Sequence, residues 1–113
     1  MTYSDLQLPI DPSIDERLAE HLAKAESHVT EAKMLLETAT RKYQKAKAEH
    51  DKLEARIGRI SQPAHFLVAE LAAASARADA ALNEQQKLEK ELRTAEGHRD
   101  ELQLAKDQLD GLC

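Results

Sequence analysis

The chain has 113 residues, with 16 basic and 21 acidic side chains, no Trp, one Phe and two Tyr. A net charge of −5 weighs against a general nucleic-acid binder, which needs a basic surface to displace counterions. The scarcity of aromatics excludes a thick globular core, and the Ala, Leu, Glu, Lys, Arg and Gln that dominate instead are the composition of long helices.

Residues 1–12 carry Pro9 and Pro12 and little periodicity, and read as an extended N-terminal arm. Leu6, Leu8 and Ile10 alternate along it, a pattern that suits a peptide-like contact. The start of the chain has neither the basic residues nor the apolar core of a signal peptide, and no run approaches the ~20 apolar residues of a membrane span. A cytoplasmic location and no membrane partner are the corresponding expectations.

The spacing predicts a first helix over 13–60. Ser13 can cap it, with Glu16 three residues on as its capping-box partner. Asp11 followed by Pro12 in the first helical position is an equally good start. Apolar residues then recur in alternating steps of four and three: Leu18, Leu22, Ala25, Val29, Ala32, Leu36, Ala39, Tyr43, Ala46, Leu53, Ile57 and Ile60, with His50 the one polar interruption. Such a heptad stripe is the signature of a coiled coil. One of its two rows is Ala at 25, 32, 39 and 46, which lets a neighbouring helix approach closely.

A tip is expected at 61–63. Gly58 weakens a helix by ~1 kcal/mol against Ala, Pro63 pushes Gln62 away from helical angles, and Ser61 can cap a new helix. The second helix, expected over 64–111, resumes the stripe with Ala64, Leu67, Leu71, Ala74, Ala78, Ala81, Gln85, Leu88, Leu92, Ala95, Arg99, Leu102, Lys106, Leu109 and Cys113. Gly97 is a soft spot within it and Gly111 a stop signal.

The stripe keeps its phase through the tip, so a single kinked helix in a parallel dimer is a rival arrangement. Pairing favours folding back. A turn between 60 and 64 sets Ile57 against Leu67, Leu53 against Leu71, His50 against Ala74, Tyr43 against Ala81 and Ala39 against Gln85, and in most of the layers along the seam a large side chain meets a small one. A parallel dimer would instead stack Tyr43, Arg99 and Lys106 on their own copies. The expected fold is therefore all-α: two long antiparallel helices in a coiled-coil αα-hairpin spanning 13–113, oligomerising into a helical bundle.

A second apolar set lies off this seam: Phe66, Val68, Ala69, Ala72, Ala73, Ala76, Ala80 and Leu82. A helix that is apolar nearly all round has more than one neighbour, which makes these eight residues the candidate interface for a protein partner or a second copy. The stretch from Arg41 to Arg59 is rich in Lys and Arg, and Lys52, Arg56 and Arg59 are candidate basic contacts near the tip. Acidic residues gather toward the opposite ends of both helices.

Catalytic and metal patterns are not found. None of the five His has Glu three positions before it, and His21 and His28 stand two turns apart, ~10.5 Å along a helix. His50 at a stripe position admits a pH-switch reading, set against the commoner case of a ring tucked beside Ala with one nitrogen in water. Cys113 is the only cysteine, so no internal disulfide can form. No cofactor, metal or small-molecule substrate is expected, and an enzyme is not. The sequence reads as a non-enzymatic coiled-coil interaction or oligomerisation module, a scaffold or adaptor. The alternative is a nucleic-acid- or ribosome-associated protein that contacts its partner through the basic tip.

Overall fold

A computed structural model describes residues 10–112 of the backbone and side chains over 13–112. Residues 1–9, which hold most of the expected arm, and Cys113 lie outside the described residues. The described chain consists of two helices, α1 (Ile10–Ile57) and α2 (His65–Asp110), with no strand among the described residues.

Helix α1 begins at Ile10, so Ile10, Asp11 and Pro12 belong to the helix and not to the arm. Pro12 falls in the first turn, where backbone N–H groups have no intrahelical acceptor and a missing donor costs nothing. Ser13 therefore lies inside the helix, and its carbonyl accepts from Arg17 Nε at 3.1 Å. At its other end α1 stops at Ile57, three residues earlier than the spacing suggests. Gly58 N–H still donates to Glu54 O at 2.8 Å, and Ile60 N–H then donates to Ile57 O at 2.9 Å. That shift to i−3 bonding tightens and ends the helix, and no glycine in the described chain adopts positive φ.

Ser61 is not the cap of α2. The Ala64 carbonyl takes the first helical bonds, from Leu67 N–H at 2.9 Å and Val68 N–H at 3.2 Å, with Pro63 immediately before it. Helix α2 then runs through Gly97 without interruption to Asp110. Gly111 N–H closes it onto Asp107 O at 2.9 Å.

Two compact units divide the chain. One is Lys33–Glu91; the other joins Met1–Ala32 to Leu92–Cys113. The Lys33–Glu91 unit holds the end of α1, the turn and the start of α2, and its central residue is Gln62 in the turn. Its buried residues are Ala39 and Ile57 of α1 and Ala74 of α2. Leu36, Tyr43, Ala46, His50 and Leu53 are half-buried around them, as are Leu67, Leu71, Ala78, Ala81, Gln85 and Leu88. In the other unit Leu22, Ala25 and Val29 are buried, with Leu18, Ala32, Leu92, Ala95, Arg99, Leu102 and Leu109 half-buried.

Burial thus follows the predicted stripe. The exceptions have local causes. Ile60 lies beyond the end of α1 and Ala64 caps α2, and both are exposed. Lys106 turns outward to Asp110 at 3.5 Å, and Ala105 is half-buried beside it. Arg99 keeps its stem half-buried while its guanidinium donates to Asp100 Oδ1 at 3.0 and 3.1 Å. The core is thin: no side chain is wholly enclosed among the described residues. Each unit takes a length of both helices, an arrangement consistent with a helical hairpin.

Candidate interaction surface

The first two turns of α2 carry the largest apolar side chain in the protein, Phe66, and leave it 69% exposed. Helical geometry explains why. At 100° per residue the seam residues Leu67, Leu71, Ala74 and Ala78 take one side of α2, and Phe66 falls on the other. Ala69, Ala73, Ala76 and Ala80 follow Phe66 in steps of three and four, all exposed and with no charged residue in the row. Ala72 is exposed at the edge of this row.

Val68 and Leu82 do not share that row. They are two helical repeats apart, in line with Ser75, on an edge nearer the seam. Val68 is 46% exposed, whereas Ser75 and Leu82 are half-buried. Seven of the eight expected interface residues are therefore solvent-exposed, and Leu82 is partly covered by its own chain. The Lys33–Glu91 unit also exposes Met34 and Leu35 on α1, at 63% and 50%, which the heptad reading had no place for.

Charged residues border the Phe66 row on both sides. Glu70 and Arg77, one helical repeat apart, lie along one edge, and His65 and Asp79 along the other. All four are exposed, and none forms an ion pair among the described residues.

The candidate basic contacts are only partly brought together. Lys52 and Arg56 of α1 share an open, shallow groove with Arg77 of α2, floored by Leu53 and Ala74 and with Glu49 on its rim. Arg59 is exposed in the turn and does not line it. Arg77 was not visible as a member of this cluster in the sequence, since only the return of α2 alongside α1 supplies it.

His50 also gains neighbours that heptad reasoning passed over. Its Nδ1 is 3.2 Å from Asp51 Oδ1, and its Nε2 is 3.9 Å from Glu54 Oε2. The ring is 20% exposed while the two carboxylates, at 58% and 63%, remain in water. One ligand atom from each of the three lies within 4.8 Å of the others. The spacing i, i+1, i+4 puts the groups on one turn, and the signal was present in the sequence as His-Asp-x-x-Glu. Among the described residues no helix is long and apolar enough to cross a membrane. The chain matches no family model, no curated protein and no solved structure.

Proposed function

We propose that this chain is a non-enzymatic interaction module, a scaffold or adaptor built as a helical hairpin that uses its heptad seam internally and offers the outer face of α2 to a partner. The observation that carries this reading is Phe66, 69% exposed at the head of an uncharged row of small residues. An aromatic side chain in water forfeits roughly 25 cal/mol for every Å² it could bury, and Phe66 stands on the solvent side of α2, away from the seam. Alanines beside the aromatic permit close approach of another helix. Helix-in-groove and helix-on-helix docking both use such a face.

Photo-crosslinking in cells tests this. A benzophenone amino acid at Phe66 is expected to give adducts, whereas the same group at the exposed polar position Glu31 gives none. Equal, trace labelling at both sites would sink the reading.

A second reading rests on the groove that joins Lys52, Arg56 and Arg77. Three cations with a single carboxylate on the rim attract an anionic partner, RNA or DNA among them, more strongly at low salt. Its check is gel retardation at low salt, lost in the K52E/R56E variant; no retardation of the parent protein removes it.

A further inference from the structure

Building on the interaction reading above, we propose that the occupant of the Phe66 face is a second copy of this chain, docked antiparallel about a two-fold axis beside Ala73. In an isologous contact each residue i that meets j is matched by j meeting i. The Phe66 row satisfies this condition in shape. With Ala73 on the axis, Phe66 of one copy lies over Ala80 of the other and Ala69 lies beside Ala76, so the one large side chain meets a small one at both ends. A parallel pairing would instead put Phe66 on Phe66.

Charge follows the same symmetry. Antiparallel helices bring like edge against like edge, as the flanking positions of antiparallel coiled coils do. On one edge Glu70 then faces Arg77 of the second copy, and Arg77 faces Glu70. On the other, His65 faces Asp79 while Ala72 meets its own copy. Both edges are exposed and their charges have no ion-pair partner within the chain among the described residues. A parallel alignment would instead set the Glu70 and Arg77 edge against the edge of His65 and Asp79, so Glu70 and Arg77 would not meet. The row from Phe66 to Ala80 is about 21 Å long, shorter than a standard interface requires, so the pairing is weak and concentration-dependent.

Sedimentation equilibrium on the full chain, with Cys113→Ser to prevent oxidation, tests the proposal from roughly 10 µM to 1 mM. The weight-average mass is expected to rise from 12.6 kDa toward twice that value. E70R alone and R77E alone should each weaken association by about tenfold or more. Both positions are exposed, so circular dichroism should give unchanged helicity. The equimolar mixture of the two variants restores opposite charges at every edge contact and should associate like the parent, as should the double variant E70R/R77E. A chain that stays monomeric throughout, or that associates equally well with either single reversal, overturns the self-pairing. If crosslinking at Phe66 meanwhile captures a different protein, only the identity of the occupant falls; if it captures nothing, the interaction reading falls with it.

Discussion

At the scale of single residues, two positions, Gln85 and Gly97, sit badly in otherwise regular helices. Gln85 is half-buried at a stripe position, and its Oε1 is buried with no hydrogen-bond donor among the described residues. A desolvated amide oxygen without a partner is destabilising by roughly 1–3 kcal/mol. Gln85→Leu keeps the volume and removes the orphan, so it is expected to raise stability by about 1 kcal/mol, read as a higher urea midpoint at unchanged slope. A lower midpoint would mean that the amide is satisfied and holds the register. Gly97 is the other case. It lies inside α2 with helical φ, and a Cβ there would meet nothing within 4 Å. Gly97→Ala should therefore stabilise by about 0.5–1 kcal/mol, chiefly by narrowing the unfolded ensemble. Thermal unfolding followed by circular dichroism measures it.

At the scale of the helices, stability rests on the stripe and little on the surface. Val29 is 2% exposed and Met34 is 63% exposed, though both are apolar residues of α1. Val29→Ala should cost roughly 1–3 kcal/mol through lost burial and the cavity left behind, and Met34→Ala less than about 0.5 kcal/mol. Paired urea titrations of the two variants check the contrast, and equal effects would contradict the burial pattern. The Arg41–Glu37 pair, one turn apart and largely in water, adds a few tenths of a kcal/mol at most.

The stripe was legible in the sequence because apolar spacing and burial have the same cause: the residues at steps of three and four are the ones a neighbouring helix covers. The helix ends were less legible. A serine with favourable capping chemistry at 61 lost to the Ala64 carbonyl, and Pro12 entered the first turn of α1 because that turn asks for no donor. The Phe66 row could be found from composition and spacing alone. The groove shared by Arg56 and Arg77 could not, since it depends on which part of α2 returns beside which part of α1. The heptad position of His50 masks its two carboxylate neighbours, Asp51 next to it and Glu54 one turn on.

At the scale of the whole molecule, the free face is set by what the heptad stripe packs against. If the chain doubles back, α1 and α2 consume each other's stripe, and the Phe66 face is what remains for a partner. If the chain were one kinked rod, the stripe itself would be the dimer contact, and Phe66 would lie on the outside of a coiled coil. The charge pattern adds a consequence for the first case. Basic residues concentrate between Arg41 and Arg59, and acidic ones collect toward the other end of each helix. Association between faces near the turn should then be largely insensitive to the acidic ends, and should weaken with salt only as far as the Glu70–Arg77 edges contribute.

The most direct measurement is an electron-spin distance between labels at Ser27→Cys and Arg93→Cys, with Cys113→Ser and labelled chains diluted into unlabelled ones. Both positions are exposed and belong to the same compact unit. Helices packed side by side lie 8–10 Å apart, so a narrow intrachain distance of about 20 Å including the linkers is predicted. A distance near the ~100 Å of an uninterrupted helix between the labels, or one too long to record, would contradict the folded-back chain and with it the assignment of the Phe66 face.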